Sequence, residues 1–419
     1  MTRALPLLAA CALFSIPGFA QQTPTKAVPA APTAAAPETM PVELIHTLVY
    51  MPGAIGSSGP LNVILDSGSS MNIVSPDVAI KAGLTGSGIT LRASGLGQGE
   101  SEALRLFENA DLHWGPAGHE LNLTGQKGAI LPIDYISEQI GRRTDALLGG
   151  DLFLRYTITV DYQHQSATFT PAKNSIHPAG TEIPLRIVSN SPFVEAVVLG
   201  DDGRAVRGLF FVDSGLTADL VLSQGFLEAH PGLITDSHFA SAPAVRAVGG
   251  EVRSHLALLA GFGLGPFHFS HLVADVPASS NGLLANPAIA GIVGARLLSR
   301  FTITWDWSHK RLFLAPNENF NSPFQLATSG MHLVAPGPDY RAVVVDSVLK
   351  GSPASEAGLV LGDHIVAVNG NNDPALWQVL EALRATGSEQ EQGVRLEVRR
   401  ASGTKSVLLT PRSPFSEAP

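Results

Sequence analysis

The chain has almost no sulfur chemistry available to it: Cys11 is the only cysteine in 419 residues. An intrachain disulfide is excluded, and cleavage of an N-terminal leader would also remove the last thiol nucleophile or zinc-thiolate ligand. Charged residues are sparse at 15% against 45% apolar, which excludes a chain left unfolded for want of a core. The charge leans acidic, −9 overall, with no Lys/Arg cluster to displace phosphate counterions, which argues against a nucleic-acid partner. Past the N-terminus no stretch approaches the ~20 apolar residues of a membrane span. Aromatics are few at 6%, whereas Gly (42) and Pro (30) are plentiful, the balance expected of short strands joined by many turns. The length suggests two to four domains.

The first residues read as an export signal. Arg3 supplies the positive start, Ala4 to Phe14 the apolar run and Gly18-Phe19-Ala20 a small-residue cleavage site. Leu8-Ala9-Ala10-Cys11 also resembles a bacterial lipoprotein acylation box, so simple cleavage and lipid anchoring through Cys11 are both open. The expected location is periplasmic or secreted. Residues 21–42 are rich in Ala, Pro and Thr and are expected to form an extended tether.

What organises the rest is a repeat. The apolar run Val63-Ile64-Leu65 delivers Asp66 into Ser67-Gly68-Ser69, and Phe210-Phe211-Val212 delivers Asp213 into Ser214-Gly215. One Asp-Ser-Gly is ordinary turn composition. Here each copy has a later echo, Leu147-Leu148-Gly149 and Ile292-Val293-Gly294, and residues 145–161 align with 290–306 without a gap. Arg155/Arg300, Thr157/Thr302, Thr159/Thr304, Asp161/Asp306 and His164/His309 coincide, which marks an internal duplication.

An apolar strand, Asp-Ser-Gly and a distant apolar-apolar-Gly, all given twice, resembles a two-lobed aspartic peptidase of the pepsin/retropepsin kind. The resemblance implies a mostly β fold of two lobes, residues 43–172 and 181–317, related by a pseudo-two-fold. It also implies that Asp66 and Asp213 form one catalytic pair. Two carboxylates about 3 Å apart cannot both ionise, so one keeps a proton while the other acts as base. By the same resemblance Ser67, Gly68, Ser214 and Gly215 support the turns, Gly149 and Gly294 anchor them from behind, and Ser69 hydrogen-bonds the first carboxylate. Leu216, opposite Ser69, departs from that pattern. No cofactor is called for.

Two Gly-rich hairpin tips, around Gly95 and Gly97 and around Gly249 and Gly250, read either as ordinary turns or as flaps over the cleft. The flap tyrosine of pepsin-like proteins has no counterpart in either. Gly261-Phe262-Gly263-Leu264-Gly265 lacks the strand-turn-helix context of a nucleotide fingerprint. His268 and His271, three apart on a strand, face opposite sides, so no metal site is assigned.

The repeat stops at Pro316, and a polar linker leads to a third unit. Strand, Ser352-Pro353-Ala354 helix start, Gly358, a Gly362-Asp363 turn, Ile365 to Val368 and Asn369-Gly370 follow one another. This string resembles a PDZ domain of the type appended to bacterial periplasmic proteases, a small barrel-like β unit with two helices over residues 325–412. The resemblance implies strand addition of an extended or C-terminal peptide. Gly330, Met331, His332 and Leu333 would form its carboxylate loop and Leu376 to Leu383 line its groove. The linker places a boundary there, which implies that the two-lobed body folds without the third unit.

The reading is therefore an endopeptidase acting on proteins or peptides. Its rival is an inactive acid-protease fold kept as a peptide-binding scaffold; a half-site needing a partner chain is the weaker alternative, since both halves are present.

Overall fold

The computed structural model describes residues 13–14, 36–94, 102–174, 176–247, 250–278, 282–389 and 393–415. Most of the export-signal and tether residues, and Gly95, Gly97 and Gly249, lie outside these.

Lobe one is built on β1 (Leu61–Leu65), β2 (Asn72–Val74), helix α1 (Asp134–Ile140), β3 (Ala146–Leu148) and β4 (Tyr156–Asp161). β3 runs parallel to β1 and antiparallel to β2, so it lies between them. Both faces of this layer are covered, which is why Val63-Ile64-Leu65 of β1 and all of β3 read as unbroken apolar runs. Val63, Leu65, Ala146 and Leu148 face the main core, while Ile64 and Leu147 face a second one. The strand Glu102–Trp114 pairs with Leu48–Ile55 to close the sheet, and Leu13–Phe14 pairs with the edge strand Gly86–Ser94.

Lobe two repeats the plan with β5 (Ala205–Asp213), β6 (Leu220–Leu222), β7 (Ile289–Gly294) and β8 (Phe301–Asp306). β7 is parallel to β5 and antiparallel to β6. The expected hairpin into the second Asp-Ser-Gly is present: Ser191–Leu199 pairs with β5 around Asp202-Gly203. A six-stranded sheet joins the lobes, in the order Thr181–Pro184, Arg311–Pro316, β8, β4, Ser166–Pro171, Glu38–Pro41. At its centre the equivalent residues Thr159 and Thr304 face each other, hydroxyl to hydroxyl at 2.8 Å. That self-pairing is the mark of a two-fold axis. The sheet also corrects the tether, because Glu38–Pro41 is already a strand, paired with Phe169 to Ser166.

In the third unit, β9 (Met331–Val334) is an edge strand, followed by Val343–Val348, the short helix Pro353–Glu356 and His364–Val368. Helix α2 (Leu376–Glu389) and the hairpin Val394–Arg400/Gly403–Leu409 complete it. Ser352 caps the short helix with Pro353 in its first turn, and Asn369-Gly370, both at positive φ, close a two-residue hairpin.

This unit does not stand apart. Its core residues Met331, Leu333, Val379 and Leu383 form one cluster with Ile133, Ile136, Ile140, Ile64 and Leu147 of lobe one. On the other side Phe415 packs with Leu256 and Leu258 of lobe two. The linker marks a change of unit, but the expectation that the body folds alone meets a shared apolar core that removal would expose.

Candidate active site

The two Asp-Ser-Gly turns meet head to head at the two-fold. Asp66 follows β1, its N–H donating to Leu148 C=O at 2.9 Å, and Asp213 ends β5 opposite Gly294 of β7. Ser67 Oγ donates to Val212 C=O at 2.9 Å and accepts from Ser214 N–H at 3.0 Å. Reciprocally, Ser214 Oγ donates to Leu65 C=O at 3.1 Å and accepts from Ser67 N–H at 2.9 Å. Each hydroxyl thus clamps the other lobe's backbone.

The glycines are there for space. A Cβ on Gly68 would sit 2.3 Å from Asp213 Oδ1, and one on Gly215 would sit 2.5 Å from Asp66 Oδ1. Each turn's glycine therefore touches the opposite carboxyl, while its N–H donates to its own Asp at 2.8 Å. Gly149 and Gly294 press from behind, where a Cβ would fall 2.4 Å from Ser69 C=O and 2.2 Å from Ala218 C=O. None of the four needs positive φ. Behind them Gly150 N–H donates to Ser69 C=O at 2.8 Å, and Ala295 N–H to Leu216 C=O at 2.7 Å.

Both carboxyls are 0% exposed. Burial, and then the charge of Asp213, hold Asp66 well above the usual carboxylate range against the opposing N–H of Gly68. Asp66 Oδ2 has no donor among the described residues. The Asp66 carboxyl is in hydrogen-bonding reach of the Asp213 carboxyl, and such a bond forms only if one of the two keeps a proton.

The sequence expectations divide here. Asp66, Asp213, Ser67, Gly68, Ser214, Gly215, Gly149 and Gly294 come together. Ser69 also reaches Asp66, through its backbone N–H, while its hydroxyl donates to Met71 C=O at 2.7 Å and braces its own loop. Of the flap residues, Gly250 opens the strand Gly250–Val252, which pairs with Val245–Ala247. Val245, Ala247 and Val252 join one cluster with Leu216 and Ala218, so this hairpin lies against the second turn. Gln139 of α1 reaches across and donates from Nε2 to Arg246 C=O at 2.5 Å. No sequence signal pointed to Gln139. Arg296 was also missed: it binds Asp219 at 3.1 Å and Thr217 C=O at 2.6 Å, fastening the loop after Asp213. Its signal was the mismatch with Asp151 inside an otherwise matching repeat.

The expected peptide groove of the third unit is covered at one end by lobe one. β9 is the sheet edge, but Ala335 N–H donates to Glu138 C=O of α1 at 2.7 Å, and the Cα of Gly141 abuts Leu376 at the start of α2. Met331, His332 and Leu333 are buried, and His332 Nδ1 pairs with Asp346 at 2.9 Å. Gly330 sits at φ +72 with a would-be Cβ 2.2 Å from Ser352 Cβ, so only glycine fits that turn. These four residues form the loop and strand foreseen, with Met331 and Leu333 in the apolar cluster shared with lobe one.

Residues 344–400 match a family model described as PDZ domain. Among solved structures, the chain is similar to basic 7S globulin from soybean, at 12% identity and TM-score 0.40, covering 68% of this chain and 97% of that one. It is also similar to the aspartic proteinase from Irpex lacteus, at 14% identity and TM-score 0.38, covering 68% and 99%. A search of curated proteins gives no match. The chain is mostly β, with two lobes built on one plan and a C-terminal region containing a PDZ domain. Among the described residues no helix is long and apolar enough to cross a membrane, and no three His, Cys, Asp or Glu side chains gather as a metal site.

Proposed function

We propose that this chain is an exported aspartic endopeptidase whose PDZ unit binds peptide or protein substrate. The observation that carries the reading is the reciprocal contact of Gly68 with Asp213 and of Gly215 with Asp66, which gathers two carboxyls at one buried point. Desolvation and mutual repulsion make that arrangement costly, and a scaffold has no use for it. The ionised partner takes a proton from a water as it attacks the peptide carbonyl, and the protonated partner donates to the carbonyl oxygen. No covalent intermediate is required.

Substrate has to lift the hairpin that Gln139 holds at Arg246, and a peptide in the PDZ groove has to displace α1 from β9. Asp66→Asn and Asp213→Asn should each lower kcat/KM for peptide hydrolysis by at least about 10³-fold while leaving the fold intact. The amide keeps the carboxyl's shape but cannot act as base or share the proton. The parent's pH–rate profile should be bell-shaped, both limbs belonging to the pair. A single Asn variant with parental activity would move the reading to the binding scaffold.

A further inference from the structure

Between the third unit and lobe two lies a cavity of about 110 Å3. It is smaller than the ~300–1,000 Å3 of a drug-sized pocket and suits one side chain. Leu256, Leu380 and Leu383 give it aliphatic walls, and Asp219, Asp275, Arg296 and Arg384 its charge. It also touches Thr328 and Ser329, at the opposite end of the groove from the contacts of α1 with Ala335 and Leu376.

Two acceptors in it are unpaid. Asp275 is 4% exposed and Asp219 7%, and Oδ1 of each has no donor among the described residues. Buried acceptor atoms of this kind ordinarily meet a donor. The duplication sharpens this. Ile73 and Val221 each pair with the residue two before the anchoring glycine, and on their other sides they pair with Ala129 and Asp275. Lobe two thus buries a carboxyl where lobe one keeps a methyl group.

One cation is unpaid as well. The Arg384 guanidinium has no acceptor among the described residues, and burial with the nearby Arg296 pushes its pKa down to about 9. Asp275, Asp219, Arg296 and Arg384 all line this one cavity, with Arg296 bound to Asp219 at 3.1 Å. Beside Thr328 and Ser329, the N–H groups of Gly330 and Met331 donate to those residues' hydroxyls, at 3.2 and 3.4 Å. The cavity therefore brings together the Arg384 guanidinium, aliphatic walls and two carboxyls that each have an acceptor atom without a donor among the described residues.

We propose that it binds a basic residue ending in a free carboxylate, a C-terminal lysine or arginine, with the carboxylate at Arg384 and the side-chain cation at Asp275 and Asp219. This rests on the peptide-binding reading of the third unit and not on the catalytic pair. Burial raises Asp275 to about 8, against the field of Arg296 and with that of Asp219. The empty site thus holds Asp275 neutral, and a bound cation ionises it.

The test uses the full chain carrying Asp66→Asn, so that bound peptide stays intact if the pair is catalytic and nothing is lost if it is not. Labelled hexapeptides ending in Ala-Lys, in Ala-Leu and in amidated Ala-Lys are titrated by fluorescence anisotropy, with free lysine as competitor. The free-acid lysine peptide should bind about tenfold tighter than either other probe, the scale of one charge-assisted bond. Calorimetry at pH 7 in two buffers should show close to one proton released per peptide. Asp275→Asn, a neutral replacement for a neutral carboxyl, should fold normally and lose both the lysine preference and the proton release. Competition by free lysine as strong as by the peptide would assign the same chemistry to the free amino acid. Equal binding of the leucine peptide, no binding of any probe, or a lysine preference that survives Asp275→Asn would overturn the proposal.

Discussion

Lobe one and lobe two hold the same turn by different means. In lobe one the Gly149 N–H donates to the Asn72 side chain at 3.2 Å; in lobe two the Gly294 N–H donates to the Asp219 backbone carbonyl at 3.0 Å. That change frees the Asp219 carboxylate for Arg296. The strand register shows why: Leu147 pairs with Ile73, whereas Ile292 pairs with Val221, so lobe two has one more residue between its Asp and its strand. Duplication preserved the carboxyls, the clamp and the glycines, and let the braces diverge. Lobe one became neutral and apolar where it meets the PDZ unit, and lobe two became charged.

The strongest way to break this comparison is to remove the PDZ unit from residue 325 onward. Lobe one would lose the cover over Ile64, Leu147 and the inner face of α1, whereas lobe two would lose a smaller contact at Phe415. The truncated chain should be markedly less stable, by several kcal/mol given about 1.5–3 kcal/mol for each large apolar side chain uncovered. Hydrogen exchange should rise mainly in β1, β3 and α1. Equal exchange in both lobes would show that the shared core is not what stabilises lobe one.

Substituting the anchoring glycines probes what the lobes have in common. Gly149→Ala and Gly294→Ala should each destabilise by about 1–3 kcal/mol in urea titrations, because each methyl meets backbone carbonyls that cannot yield without moving the turn. A large asymmetry between them would mean that one turn tolerates displacement.

The braces should separate the lobes at a smaller scale. Arg296→Ala removes a charge-assisted pair and a carbonyl bond, about 1.5–3 kcal/mol, and Asn72→Ala one neutral bond, about 1 kcal/mol. Only the first should respond to added salt. If both respond alike, the Asp219–Arg296 pair contributes no more than a hydrogen bond.

The last probe is pH. Asp275 has a folded pKa of about 8 against 3.8 for the free group, so the folded chain binds more protons within that window. Its contribution falls as pH rises, at up to roughly 1.4 kcal/mol per unit. Asp275→Asn should flatten the stability profile between about pH 4 and 8. The equivalent Ala129 gives lobe one no counterpart, so a slope unchanged by the substitution would mean that Asp275 is not buried in solution.

The repeat, the paired carboxyls and the PDZ strand order were legible because each is written in a few adjacent residues: an apolar run, a turn, a glycine at a fixed remove. The glycines announced close packing without saying against what, and the reciprocal Gly–Asp contact emerged only when both lobes were in place. Ser69 was legible as a partner of Asp66, but not that its backbone N–H would serve while its hydroxyl turned to Met71 C=O. Gln139 and the contact of α1 with β9 left no trace in local composition, since the first depends on how the lobe-two hairpin meets lobe one and the second on how the third unit docks. Glu38–Pro41 sat at the end of an Ala/Pro tract, and its strand pairing is set by a partner far along the chain.

The central sheet, finally, sets an order of events for a chain made from one end. β4 is complete by residue 161, yet one of its edges stays open until β8 arrives, with Thr159 waiting 145 residues for Thr304. Pairing at such separation is slow to form and leaves an unpaired strand exposed meanwhile. Lobe one therefore reaches its final edge only after lobe two is nearly whole. A chain that emerges unfolded on the far side of a membrane would pass through that half-built state every time.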